Sequence, residues 1–329
     1  MTHAATPFPS SASGPAPEKT FRTFTASQSA TYADVRFKYH PKLYSRLLSH
    51  HLSTGGSLST ILDVGCGPGT AISSLHGHFE KAIGVDPSPS MIETARSLYG
   101  DSHPDTEKKG IEFILSTAEA LEGIESQSVD LIIAANAAHW FDMAGFWRRA
   151  AEVLKPGGTV AVWGGGPVTV GAAVPGREAV QAAIERLEER ISGFYEPGNH
   201  IVRGLYRDLV MPWDAEEGDP VRDMFVGREG LIRWEWGTDT EGSFPSEELY
   251  VTHLQVDMNT LGRMMETSSP VIRWREAHPA KVGTEEDVVS LLRKEIQEAM
   301  WAAGVKKGEE LKLEGGVSGC MLVVKRTDK

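Results

Sequence analysis

The chain of 329 residues is 40% hydrophobic and 24% charged, enough to bury a full core and incompatible with a disordered or fibrous class. Its formal net charge of -12 opposes a polyanion, and no Lys/Arg run or basic-aromatic stripe offsets it, so nucleic acid is not an expected partner. The longest apolar runs, such as 131–135 and 321–324, fall far below the roughly 20 residues of a bilayer span, and Cys66 and Cys320 suffice for neither a disulfide framework nor a four-sulfur metal site. The expectation is a cytoplasmic protein without a membrane partner.

Residues 1–20, rich in Ala, Pro, Ser, Gly and Thr, lack both the apolar core of a signal peptide and the Arg-rich pattern of a transit peptide, and read as a disordered tail. From Thr60 strand and helix patterns alternate. Apolar runs at 60–64, 81–85, 111–115, 129–134 and 159–162 read as strands, with helices expected at about 70–79 and 145–154. Such alternation predicts a doubly wound α/β fold with parallel strands joined by right-handed crossovers. Lys155-Pro156-Gly157-Gly158 reads as a turn between the second of those helices and the fifth strand. After Trp163 the pattern loosens into an insertion over the sheet edge, with a helix at 177–191, a loop-rich stretch to about Arg228 and a strand at 231–236. Ser246, followed by Glu247 and Glu248, is a candidate N-cap. Thr284 and Asp287 resemble a capping box opening a helix towards Ala303, and 319–325 reads as a closing strand.

The motif that carries chemistry is Asp63-Val64-Gly65-Cys66-Gly67-Pro68-Gly69-Thr70, between the first strand and its helix. Its glycines let a ligand approach the backbone at the carboxyl end of the strands, where open sheets bind ligands. A nicotinamide enzyme would carry glycine where Thr70 stands, and a phosphate cradle would end in Gly-Lys-Ser/Thr, so the loop suits a nucleoside without phosphates. Asp86 ends the second strand, placed to accept hydrogen bonds from a ribose diol. His50, His51, His76 and His78 lack cysteine or carboxylate neighbours at metal-site spacing, so no metal is expected.

On these residues the sequence resembles the class I S-adenosylmethionine-dependent methyltransferases over about 24–163 and the closing strand. The resemblance implies a Rossmann-like, mostly parallel seven-stranded sheet within a domain at 21–329, divided into a cofactor-binding core to 165, an acceptor cap at about 166–230 and the remaining strands and helices. It also implies S-adenosyl-L-methionine as cofactor. In that family the positions of Gly65 to Gly69 hold the methionine end and that of Asp86 the ribose. Pro87 and Met91 would lie along the adenine, with Ala118 and Glu119 at its edge, although Met91 and Ala118 also fit plain core packing. Asn136 sits where the fourth strand ends near the cofactor, or is a loop amide bonded to local backbone.

The run from Asn136 to Asp142 resembles the A-x-H-W-F-D signature of the trans-aconitate methyltransferase-like branch. His139 is the candidate catalytic residue, either as proton acceptor or as part of the pocket wall. An amino-terminal pattern of that branch, Y-x-x-x-R-P-x-Y-P, is matched by Tyr32, Arg36 and Tyr39, with Phe37 and His40 in place of the prolines. It implies a lid with Tyr32 and Arg36 as cofactor contacts. The expected function is methyl transfer to a small molecule, as O-methylation of a carboxylic acid or hydroxyl. An acid acceptor calls for clamping arginines, with Arg203, Arg207, Arg233, Arg263 and Arg273 as candidates. N- or S-methylation of a secondary metabolite instead calls for an apolar pocket, for which Phe194, Tyr195, Tyr206, Trp213, Trp234, Trp236 and Trp274 are available. Two further readings are a non-catalytic cofactor-binding regulator and a nicotinamide oxidoreductase, the latter disfavoured by Thr70.

Overall fold

A computed structural model describes residues 19–36, 38–100, 110–237 and 254–328. Helices α1 (Ala26–Val35) and α2 (Pro41–Ser53) precede β1 (Thr60–Val64), α3 (Ile72–Leu75), β2 (Lys81–Asp86), α4 (Pro89–Tyr99), β3 (Glu112–Leu115), β4 (Val129–Ala135), α5 (Met143–Val153) and β5 (Leu154–Val170). There follow α6 (Arg177–Ile191), α7 (Pro197–Arg203), α8 (Val221–Met224), β6 (Ile232–Trp236), β7 (Leu254–Asp257), α9 (Met258–Glu266), α10 (Ser269–Ala277), α11 (Val288–Ala302) and β8 (Lys312–Lys325). The strands form one sheet in the order β3-β2-β1-β4-β5-β8-β6, with β7 on the far end of β8. From β3 to β5 all pairings are parallel, whereas β8 runs antiparallel to β5, β6 and β7. This is the Rossmann-like methyltransferase fold.

The apolar runs are continuous because the sheet is covered on both faces. Leu62 and Val64 of β1, Ile132 and Ala134 of β4 and Val160 and Val162 of β5 point into one core with α5. Their neighbours Ile61, Leu131, Ile133, Ala161 and Trp163 point into a second core with α2 and α4. Burying each such aliphatic side chain contributes about 1.5–3 kcal/mol.

β5 and β8 overrun the sheet. Their ladder continues from Thr159 paired with Lys325 to Val170 paired with Gly315, and its far end supports a third core built from α6, α9, α10 and α11. Arg186 and Arg190 of α6 tie this cap by ion pairs of 2.7 and 2.5 Å to Glu295 of α11.

Several local expectations need correction. The helix after the glycine loop is only one turn, α3, followed by a 3-10 turn at His76–His78. Ser73, Ser74 and Gly77 are poor helix formers, and the Ser73 hydroxyl and the His76 ring take backbone carbonyls for themselves. Residues 155–158 belong to the β5 span, at the place where the β4–β5 register slips. Gly157 takes a left-handed conformation there, and Lys155 pairs with Asp130 at 2.8 Å. The capping box at Thr284 does not form. Asp287 is itself the N-cap, accepting from the Val289 amide, while the Thr284 hydroxyl donates to the Lys281 carbonyl. Thr20 is not part of a loose tail but buried, its hydroxyl 2.9 Å from Arg273 Nη1. Residues 1–18 and the cap expected at Ser246 lie outside the described residues.

Candidate functional site

One cavity of about 510 Å³ opens at the carboxyl ends of β1, β2 and β4 and runs into the cap. Tyr32, Arg36, Gly65, Gly67, Asp86, Pro87, Met91, Ala118, Glu119, Asn136 and His139 all line it. Asp63 does not; it lies fully buried beneath the loop.

The glycine loop is stitched to the end of β2. The Gly65 and Cys66 amides donate to the Val85 carbonyl at 2.8 and 3.0 Å, and the Gly67 amide donates to Asp86 Oδ2 at 2.9 Å. Gly65, with φ +68, sits against Ala137, whose Cβ would lie 2.6 Å from an added Cβ. Gly67, with φ +54, faces open space. The two positions therefore need glycine for different reasons, one for packing and backbone, the other for backbone alone.

The Asp86 carboxylate accepts from Gly67 through one oxygen and from the Ser88 amide, at 2.9 Å, through the other. Both oxygens thus hold the carboxylate at the end of β2, on the wall of the cavity. Neither carboxylate oxygen of Asp63 has a hydrogen-bond partner among the described residues. Burial, reinforced by the nearby Asp86 charge, pushes its carboxyl well above the usual range.

The lid is aromatic. The Ser29 hydroxyl of α1 donates to Ser90 of α4 at 2.8 Å, and Phe21 packs edge-on to Tyr32 and Trp140 with ring centroids 5.9 and 6.3 Å apart. The Arg36 guanidinium lies 4.7 Å above the Tyr32 ring and donates to the Thr267 carbonyl, while its Nε is buried without a hydrogen-bond partner among the described residues. His40 caps α2 through its ring and Pro41 opens the helix. Phe37 lies outside the described residues. Tyr39 reaches the cavity, where Asn136 Nδ2 donates to its hydroxyl at 2.8 Å. Asn136, with φ +52, accepts the Gly165 amide through Oδ1 at 2.8 Å, so its amide clasps the lid to β5. Glu119 accepts the Asp142 amide at 2.8 Å ahead of α5.

His139 sits in a 3-10 turn after β4 with Nδ1 3.0 Å from the Tyr206 hydroxyl. Burial pushes its imidazole down to about 3, so the ring stays neutral across the physiological range.

Beyond His139 the chamber is mainly apolar, with Leu187 and Ile191 of α6, Val202 of α7, Leu261, Met264 and Met265 of α9, Val271 and Leu292, and with Asn199, Ser268 and Ser269 as polar members of its wall. Of the five candidate arginines only Arg203 lines it, paired with Glu188 at 2.6 Å and lying 5.4 Å over Tyr195. Arg207 and Arg233 pair with Glu235, Arg263 with Asp34, and Arg273 ties Phe194, Thr20 and Asn199 together. The other four candidates do not reach the cavity, whose remaining arginines are Arg22 and Arg36 near the lid. Of the candidate aromatics, Tyr195 and Trp236 line the chamber. Tyr206, a candidate pocket aromatic, does not line the cavity, whereas the Gly164–Gly166 run, which the sequence analysis does not single out, does. The triple glycine itself is the signal that marks the place.

Among the described residues no group of three or more His, Cys, Asp or Glu side chains is arranged to hold a metal, and no helix is long and apolar enough to cross a membrane. His51 is instead a core residue, its ring nitrogens 2.8 Å from Thr159 Oγ1 and from the Ser57 carbonyl.

Residues 62–162 match the methyltransferase domain family. The match covers the glycine loop and strands β1 to β5 up to Val162, and it makes this region similar to methyltransferase domains. It is 34% identical over 136 residues to the probable S-adenosylmethionine-dependent methyltransferase CRG1 of Saccharomyces cerevisiae, covering 41% of this chain and 45% of that protein. It is 32% identical over 176 residues to methyltransferase cfoB of Aspergillus candidus, covering 52% and 53%. The matches thus span about half the length of these relatives. It is also 34% identical over 99 residues to a ubiquinone biosynthesis O-methyltransferase of Methylocella silvestris, covering 30% and 36%. A solved structure from Anaeromyxobacter dehalogenans, assigned as a type II methyltransferase, superposes with TM-score 0.57 at 22% identity, over 89% of this chain and 100% of that one. That likeness concerns the fold.

The site suits the cofactor of this domain family. Asp86 presents an acid at the end of β2 where a ribose would be expected, the open face of Gly67 leaves room for close approach, and Arg36, whose Nε has no hydrogen-bond partner among the described residues, lines the same cavity.

Proposed function

We propose that the chain transfers a methyl group from S-adenosylmethionine to an oxygen of a small acid or hydroxyl compound whose body is mainly apolar, and does so in the cytoplasm. The observation that carries this reading is one continuous cavity joining Asp86 and the glycine loop to a chamber walled by aliphatic and methionine side chains. Asp86 would hold the ribose, Pro87, Met91, Ala118 and Glu119 the adenine, and Gly65, Gly67, Tyr32 and Arg36 the methionine end, with Asp63 beneath. When bound, the cofactor supplies a methyl group on a positively charged sulfur, whose transfer leaves a neutral thioether. The protein's share is alignment and exclusion of water, for which the aromatic lid and the Tyr39–Asn136–Gly165 clasp are suited.

The run from Asn136 to Asp142 supports a place near the trans-aconitate branch, but Arg203, the candidate arginine at the chamber, is already paired with Glu188, which argues against a polycarboxylate acceptor. Oxygen as the acceptor atom is supported by the O-methyltransferase among the relatives. The apolar chamber equally favours a second reading, N- or S-methylation of an apolar metabolite. Incubation with methyl-labelled S-adenosylmethionine and a panel of apolar carboxylic acids, phenols, amines and thiols, read by mass spectrometry, tests both. Labelled esters or ethers support the first reading. Methylated amines or thiols alone favour the second, and no labelled product from any class would leave the methyl-transfer reading unsupported.

A further inference from the structure

Leu205 and Tyr206 follow one another with φ +55 and +57, in the left-handed region that non-glycine residues avoid. Such a conformation is strained and persists only where its surroundings over-determine it. Here the chain leaves α7 through bonds from the Leu205 amide to the Val202 carbonyl and from the Tyr206 amide to the Ile201 carbonyl, both 3.0 Å. The outcome is a phenol driven fully into the core behind the cavity wall. Gly164 makes room for it, since a Cβ there would fall 2.8 Å from the phenol oxygen.

That hydroxyl has two neighbours able to accept its single proton: His139 Nδ1 at 3.0 Å, which accepts only in the Nε2–H tautomer, and the Trp163 carbonyl at 3.4 Å. The carbonyl already accepts the Asn136 amide at 2.7 Å. The nearer and less occupied acceptor is the imidazole. A neutral imidazole that accepts at Nδ1 carries its proton on Nε2. Tyr206 does not line the cavity whereas His139 does, and with Nδ1 taken, Nε2 is the ring nitrogen left for a ligand.

We propose that Tyr206 is a positioning residue that fixes His139 in the Nε2–H tautomer, making His139 a hydrogen-bond donor to the acceptor molecule rather than its base. The inference rests on the methyl-transfer reading and narrows its substrate to oxygen acids that arrive ionised, such as apolar carboxylates or acidic phenols and enols. An anionic oxygen has no proton to lose: the oxygen–methyl bond forms as the carbon–sulfur bond breaks, and no base is consumed. Burial supports the same assignment, because it raises the Tyr206 phenol far above its usual range and keeps the His139 ring neutral.

The test is nitrogen NMR of the full chain labelled at histidine, with S-adenosylhomocysteine present and the His139 signals assigned by their loss in His139→Gln. A bare Nδ1 with a protonated Nε2 in the wild type, and loss of that single tautomer in Tyr206→Phe, is the expected result. A protonated Nδ1 in the wild type would overturn the proposal, as would an unchanged tautomer in Tyr206→Phe. Because the wild-type spectrum is decisive alone, a misfolded variant does not rescue the idea, and Gly164→Ala, which displaces the phenol, provides a second route to the same loss. Calorimetry with S-adenosylhomocysteine is run alongside: failure of the wild type to bind would sink the cofactor reading while leaving the tautomer result to stand or fall by itself.

Discussion

Asp63 shows how a residue can serve a site at the expense of the fold. Its carboxylate is buried with no hydrogen bond of ordinary geometry among the described residues, and burial and the Asp86 charge, outweighing the Ile72 backbone, raise its folded pKa above the unfolded value near 3.8. The folded state therefore holds a proton that the unfolded state has released, and this group lowers stability progressively as pH rises above about 4. Asp63→Asn should raise the melting temperature of the cofactor-free protein at pH 7 and weaken S-adenosylmethionine binding; a variant melting lower than wild type at pH 7 would contradict this. His139 acts on the acid side. The unfolded imidazole takes a proton near pH 6.5 that the folded one refuses until about 3, so stability falls as pH drops through that window, by up to about 1.4 kcal/mol per pH unit. His51, lowered by burial, adds to the same slope. Urea titrations at several pH values should show a shallower acid slope in His139→Asn, and an unchanged slope would argue against a buried neutral ring.

The glycine loop makes a prediction that belongs to the element. Gly65→Ala meets both a left-handed backbone and a Cβ 2.6 Å away on Ala137, so it should cost stability beyond the roughly 1–2 kcal/mol of left-handed strain. Gly67→Ala meets open space and should cost only that strain, while still obstructing the cofactor. Equal melting temperatures for the two variants would contradict this difference. The loop was legible because its chemistry is local: glycines beside a strand end and an acid at the next strand end need only sequence order. The short α3 was less so, because side-chain competition for backbone carbonyls by Ser73 and His76 is settled by geometry rather than pattern. Tyr206 was read only as a possible pocket aromatic, since its reach to His139 depends on the bend after α7 and on the space above Gly164, neither of which follows from hydrophobic periodicity. The arginines mislead for a similar reason: composition supplies them, but most are held by partners remote in sequence, Arg207 by Glu235, Arg263 by Asp34 and Arg273 by Asn199, and only Arg233 has its acid, Glu235, close by on the same strand.

At the scale of the molecule, the antiparallel β8 joins the cofactor half of the sheet to the cap, so one long ladder carries both ends of the cavity. The two functions should then separate by mutation. Met264→Gln places an amide in the apolar wall at a cost of about 1–3 kcal/mol for an unsatisfied polar group. It should lower kcat/KM for an apolar acid by about tenfold to a hundredfold, while the Kd for S-adenosylhomocysteine stays within about twofold. A parallel loss of cofactor affinity would show that the cap and the cofactor site are not separable.

The most direct measurement is calorimetric titration of the full chain with S-adenosylmethionine, S-adenosylhomocysteine and NAD, with Asp86→Ala beside the wild type. Two hydrogen bonds to a charged acceptor, each about 1.5–3 kcal/mol, predict a loss of at least about a hundredfold in the variant. Binding of the first two ligands, absent for NAD and lost in Asp86→Ala, is the result expected of a methyltransferase site. Binding of NAD in preference to both, or S-adenosylmethionine affinity unchanged by Asp86→Ala, would contradict it.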